Sequence, residues 1–252
     1  MAVQSPQGRV YRVSRKHLPG SSAATDGGQC TELAGDQVAQ NLKTIALFGG
    51  TFNPVHFGHL RMALELKEAL GFDEMRLLPS HQPAHRGEPE VSAEDRCAML
   101  ALALENCPEL VLDDRELKRA GATYTVDTLE ELRSELGDDV SISFCMGLDS
   151  LLGLPGWHRW EKLVALAHLV VVTRPGWQLP REGEVAELLA QHRGDSSHLA
   201  SEAAGRILVR EQTLLPISAT AVRELIRHGR SPRFLLPERV LDYIQTHQLY
   251  RS

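Results

Sequence analysis

Cysteine pairs, basic excess and long apolar runs are all missing from this chain of 252 residues. Its four cysteines, Cys30, Cys97, Cys107 and Cys145, are scattered with no Cys-x-x-Cys spacing, which excludes the usual zinc and dithiol redox patterns and implies no disulfide framework. Cys97 and Cys145 sit within apolar patterns and read as reduced, buried thiols. No apolar run approaches the ~20 residues that span a bilayer, and the N-terminus has no apolar signal core, so a soluble, cytoplasmic protein is expected. Lys and Arg number 27 against 33 Asp and Glu, a formal charge of −6. A general nucleic-acid binder needs a basic face that this balance does not supply, whereas a small anionic substrate needs only a few local cations.

What is present divides the chain in two. Residues 1–41 are rich in Ser, Gly, Gln and Ala, carry Arg9, Arg12, Arg15 and Lys16 before the first acid at Asp26, and show no periodicity. They read as a disordered extension. Their basic start resembles an organelle transit peptide, but Asp26, Glu32 and Asp36 argue against one, and an upstream start codon would account for the segment equally well. Residues 42–252 alternate short apolar runs with helical patterns, and 42% hydrophobic residues suffice for one substantial core. Strands are expected at 44–48, 75–79, 109–113, 140–146, 168–173 and 206–210, and helices at 58–70, 93–106, 125–136, 157–166, 183–192, 218–228 and 237–247. Ser92 with Asp95 forms a capping-box-like start, and Gly71, Gly137 and Gly229 follow three helix ends. Such alternation implies an α/β domain with a mainly parallel sheet and right-handed crossovers, whose ligands bind beyond the carboxyl ends of the strands.

Residues 47–60, Leu-Phe-Gly-Gly-Thr-Phe-Asn-Pro-Val-His-Phe-Gly-His-Leu, join the first strand to the first helix. Gly49 and Gly50 let the backbone turn and approach a ligand closely, and free N–H groups at the coming helix favour an anion. His56 and His59, three residues apart, can face the same ligand.

This segment closely resembles the signature of the bacterial nicotinate-nucleotide adenylyltransferases, GGTFDP followed by HxGH, with Asn53 where Asp is usual. Ile217-Ser218-Ala219-Thr220-Ala221-Val222-Arg223 resembles that family's ISSTxxR signature, with Ala219 in place of the second Ser. Between them lie further likenesses at Pro83-Ala84-His85-Arg86, Thr123-Tyr124-Thr125, Gly147-Leu148-Asp149-Ser150, Trp157-His158-Arg159-Trp160 and Arg174-Pro175-Gly176. The resemblance runs from about residue 43 to about 250 and implies a Rossmann-like, doubly wound α/β fold.

The resemblance also implies a reaction: transfer of the adenylyl group of ATP to nicotinate mononucleotide, giving nicotinate adenine dinucleotide and pyrophosphate without a covalent intermediate. The attacking phosphate oxygen is already ionised, so positioning and electrostatics must dominate. Carried over residue by residue, backbone N–H groups near Gly49, Gly50, Thr51 and Phe52 cradle ATP, and His56 and His59 donate hydrogen bonds to phosphate oxygens as electrophiles. Ser218 caps a helix, Thr220 offers a hydroxyl, and Arg223 stabilises the departing pyrophosphate. Magnesium is expected to arrive with ATP, without a protein metal motif. For the acceptor, Trp157 stacks on the pyridine ring, Thr123, Tyr124 and nearby N–H groups read its carboxylate, Asp149 takes a ribose hydroxyl, and Arg86 and Arg174 meet its phosphate.

Rival readings are a related nucleotidyltransferase acting on nicotinamide mononucleotide, on pantetheine phosphate or with a cytidylyl donor, and a nucleotide sensor without turnover. The Thr-Tyr-Thr and Trp-His-Arg-Trp segments and the chain length favour the nicotinate enzyme. A sensor has no need of intact His56, His59, Ser218, Thr220 and Arg223. Deletion of residues 1–40 is expected to leave turnover and melting temperature nearly unchanged, because the segment lacks an apolar pattern with which to pack. A melting temperature several degrees lower would show that it docks on the domain.

Overall fold

Six parallel strands in the order β3-β2-β1-β4-β5-β6 form the centre of the computed structural model, which describes residues 41–82, 89–119, 121–212 and 215–251. In chain order the elements are β1 (Lys43–Gly50), α1 (Phe57–Leu70), β2 (Glu74–Pro79), α2 (Ala93–Leu104), β3 (Leu110–Leu112), α3 (Thr125–Leu136), β4 (Val140–Gly147), α4 (Leu148–Leu152), α5 (Leu163–Leu166), β5 (His168–Thr173), α6 (Glu184–His192), α7 (His198–Ser201), β6 (Ile207–Glu211), α8 (Ala219–Arg227) and α9 (Glu238–Thr246). All six expected strands are present. Arg86 and the extension up to residue 40 lie outside the described residues.

The inner strands are apolar because helices cover both faces of a parallel sheet. Ala46, Phe48 and Cys145 face one cluster with Leu60, Leu66, Leu100 and Val240, while Leu47, Ile142 and Phe144 face another with Leu129, Leu132, Leu163 and Val185. Sequence order reverses at β1. Its neighbours are β2 on one side and β4 on the other, so the chain leaving β1 and the chain leaving β4 part at their carboxyl ends and open a crevice.

Local signals hold at several element ends. Ser92 Oγ accepts from the Asp95 N–H at 3.0 Å, and Gly71 and Gly137, both with φ of 69°, close α1 and α3. The helix expected over 157–166 is a correction. Trp157 is extended, Arg159 takes a left-handed conformation with φ of 49°, and only a 3-10 turn at Trp160–Lys162 and the short α5 remain helical. The Arg159 guanidinium is tied to Asp127 and to Glu130 on α3 (2.9 and 3.1 Å), which holds the break open. Trp157 and Trp160 therefore share no helical face.

Candidate active site

A cavity of about 580 Å³ occupies the crevice beyond β1 and β4. Its floor is made where side chains are smallest. A Cβ on Gly49 would stand 3.2 Å from the Phe144 ring and one on Gly50 3.0 Å from the Phe52 ring. These glycines make room for aromatic packing. The left-handed residue of the turn is Phe52, with φ of 48°, whose buried ring meets Phe48 and His59 edge-on at 5.8 and 5.1 Å.

His56 caps α1: its Nδ1 accepts from the His59 N–H at 3.4 Å, leaving the ring proton on Nε2. The two imidazoles stack with centroids 3.7 Å apart. Gly58 is required beneath them, since a Cβ there would stand 3.0 Å from the His56 ring. His56 is 5% exposed, and burial pulls its pKa down to about 4, so it is a neutral donor at neutral pH. His59 lines the cavity and His56 backs it.

The second motif closes one wall. Ser218 caps α8, its Oγ accepting from the Ala221 N–H at 3.1 Å. One turn on, Arg223 Nη1 donates to the Asn53 carbonyl at 2.8 Å, across 170 residues, and Nη2 lies 3.5 Å from Thr220 Oγ1. Glu90 faces the same cation, its Oε1 3.6 Å from Arg223 Nε, and pairs with Arg227 at 3.1 Å. Asn53 Oδ1 accepts from the Tyr250 hydroxyl at 2.7 Å. An amide oxygen fills that acceptor role as a carboxylate would, so this substitution leaves the contact intact. Burial raises the Tyr250 pKa and keeps it a donor. Ala219 lines the cavity and offers it a methyl group in place of a hydroxyl.

At the other end lie Trp157, Thr123, Thr125, Ser150 and Glu116. The Trp157 ring meets Phe144 edge-on at 6.4 Å. The Thr123 hydroxyl points to the Gln82 carbonyl at 3.4 Å. Glu116 is buried, accepts from Thr128 Oγ1 at 2.8 Å, and has its pKa raised by burial.

Of the residues picked from sequence, the cavity lining includes Gly49, Gly50, Thr51, Phe52, His59, Thr123, Trp157, Thr220 and Arg223. His56 and Ser218 support it from behind. Tyr124 instead occupies the N-cap position of α3 and packs on the His158 ring at 4.6 Å, while Asp149 and Arg174 are exposed residues outside the lining. Sequence reasoning missed Glu90, Glu116 and Phe144, which no local motif marks. It also missed Tyr250 and Arg96, whose hydrogen bonds to Asn53 and Thr51 cross 197 and 45 residues.

Among the described residues no group of three or more His, Cys, Asp or Glu could hold a metal ion, and no helix is long and apolar enough to cross a membrane. Among the described residues the carboxylates lining the cavity are those of Glu90 and Glu116, a donor set that suits a cation carried by phosphates and water.

Comparison with known proteins gives concordant findings. A cytidylyltransferase-like family model matches residues 47–225. A protein of Cellvibrio japonicus named "Probable nicotinate-nucleotide adenylyltransferase" is 56% identical over 82% of this chain and 99% of its own. One of the same name from Aeromonas hydrophila is 51% identical over 82% and 97%. The solved nicotinic acid mononucleotide adenylyltransferase of Plasmodium falciparum complexed with NaAD superposes with a TM-score of 0.65 at 17% identity, over 82% of this chain and 97% of that one.

The buried His56 makes a pH prediction. The unfolded chain protonates this imidazole below about pH 6.5 and the folded chain only near 4, so stability is full above 6.5 and falls as pH drops through that window. The loss amounts to about 3 kcal/mol at its full extent. Melting temperatures of wild type and His56→Asn, whose side chain keeps a capping acceptor, are expected to converge as pH falls from 7 to 4. Parallel curves would contradict the assigned burial of a neutral ring.

Proposed function

Because this chain belongs to the nicotinate-nucleotide adenylyltransferase family, within the cytidylyltransferase-like group, we propose that its cavity joins ATP to nicotinate mononucleotide, giving nicotinate adenine dinucleotide and pyrophosphate. The observation that carries this reading is the Arg223 to Asn53 bond. It brings the two motifs onto one wall, facing an aromatic pocket across the crevice.

A phosphate oxygen of the acceptor attacks the α-phosphorus of ATP, and the bond to the β-phosphate oxygen breaks in line with it. No proton has to be removed from the nucleophile. The work left to the protein is to bring two anions together and to hold the charge that gathers on the α-phosphoryl oxygens and the leaving group. N–H groups along Gly50–Phe52 and the His59 ring face the α-phosphoryl position, with His56 behind. The His56 ring, kept neutral by burial, can donate from Nε2 without taking the nucleophile's role. Arg223, with the Thr220 hydroxyl at the start of α8, receives the β- and γ-phosphates, which displace Glu90 from its guanidinium. Magnesium carried by ATP would supply neutralisation of the phosphate charge, with no metal cluster required of the protein.

The acceptor ring lies against Trp157, with its carboxylate toward the first turn of α3, where Thr123 and Thr125 line the cavity. Gly147 and Ser150 carry the ribose side, beside Asp149. We place the enzyme in the cytoplasm, where both substrates are dissolved.

Pyrophosphate release from ATP with each acceptor tests this reading. Nicotinate mononucleotide is expected to exceed nicotinamide mononucleotide in kcat/KM by tens to thousands, since one or two amide donors facing N–H and hydroxyl donors cost roughly 1–3 kcal/mol each. Thr123→Val and Trp157→Ala should raise the acceptor KM with little change in that for ATP. Equal use of both acceptors would refute the assigned pocket chemistry.

A further inference from the structure

Arg96, on α2, is 1% exposed and heads the large side chains that are wholly buried. Nη1 donates to the Thr51 carbonyl at 2.7 Å and Nη2 to the His81 carbonyl at 2.8 Å. Both acceptors are neutral, and Nε has no hydrogen-bond partner among the described residues. Burial lowers its pKa, but a guanidinium stays charged. A buried cation whose hydrogen bonds, among the described residues, go to two carbonyls contributes little to stability, which points to the two carbonyls as what it serves.

Thr51 lines the cavity itself, and His81 adjoins a residue that holds a second lining residue. The Thr51 carbonyl shares a peptide plane with the Phe52 N–H, in the loop that faces the nucleotide phosphates. The His81 carbonyl precedes Gln82, whose own carbonyl accepts from the Thr123 N–H at 3.2 Å and the Thr123 hydroxyl at 3.4 Å, and Thr123 lines the acceptor end. One planar, rigid group thus fixes both loops at once.

We propose that Arg96 is a positioning residue that couples the two substrate sites, so that ordering the nucleotide loop at Thr51 also orders the acceptor wall at Thr123, and the reverse. The charge-assisted bond to the Thr51 carbonyl polarises the 51–52 peptide and strengthens its N–H toward an anion. Either substrate, by holding its own loop, keeps the guanidinium where the other loop needs it, which is positive cooperativity between sites. The identity of the two ligands rests on the function proposed above; the coupling rests on the geometry of Arg96.

Turnover of ATP with nicotinate mononucleotide by the full-length wild type is measured first, and its absence would count against the proposed function. Hydrogen exchange is then followed with a non-hydrolysable ATP analogue alone and with nicotinate mononucleotide alone. The analogue is expected to slow exchange over residues 122–126 as well as 50–53, and the acceptor to slow 50–53 as well as 122–126. In steady state, saturating acceptor should lower the ATP KM about five-fold or more. Arg96→Lys keeps the charge, but its ammonium cannot take the place of a planar fork with one nitrogen on each carbonyl. In that variant each ligand should still protect its own loop, cross-protection should vanish, and the KM coupling should fall below about two-fold. Wild-type protection confined to each ligand's own end would overturn the proposal whether or not the variant folds. So would undiminished coupling in a folded Arg96→Lys protein.

Discussion

The parallel pairing of β1 with β2 on one side and β4 on the other is the constraint on which the rest depends. It parts the chains at the carboxyl ends of two adjacent strands, and it puts Gly49, Gly50 and Gly147 at the base of the gap. The aromatic rings of Phe144 and Phe52 fill the space that Gly49 and Gly50 leave, while Gly147 has open space beside it, so the floor is packed on one side and open on the other. From that floor the loop over residues 49–54 and the start of α8 are drawn together by Arg223 and Asn53, and the loop is backed from below by Arg96.

The charges at this site fit the proposed binding of anions. Its histidines form a stacked pair whose inner ring is kept neutral by burial, which suits hydrogen-bond donation. Arg96 and Arg223 each place a donor on a backbone carbonyl of the 49–54 segment, so the loop proposed to meet the phosphates is itself held by cations. Glu90 tempers the Arg223 wall. Half-exposed ion pairs of this kind are worth about 1 kcal/mol or less, so a polyphosphate can take the cation from it at small cost.

Much of this was legible in the sequence. The strands show as short apolar runs between turn residues because a parallel sheet buries both faces, and the two family-like signatures mark the segments that meet at one cavity wall. Ser218 was legible as a cap for the same reason. Arg96 was not: periodicity shows a helix, yet arginines are normally surface residues, and only the tertiary structure provides the two carbonyls. Tyr250 and Phe144 escaped likewise, since their partners lie far away in the chain. The helix expected over 157–166 failed because ion pairs to α3 decide the conformation of Arg159, and no local propensity carries that information. For Gly49 and Gly50, the need for glycine came from neighbouring rings as much as from the turn.

The central claim is that this cavity accelerates one direct displacement at the α-phosphorus by position and charge, with no side chain as nucleophile. ATP carrying a chiral α-thiophosphate of known configuration, turned over with nicotinate mononucleotide, tests this most directly. A single in-line displacement inverts the configuration at phosphorus in the dinucleotide product, and inversion is the predicted result. Retention would require two displacements through a covalent adenylyl-enzyme, and would contradict the account.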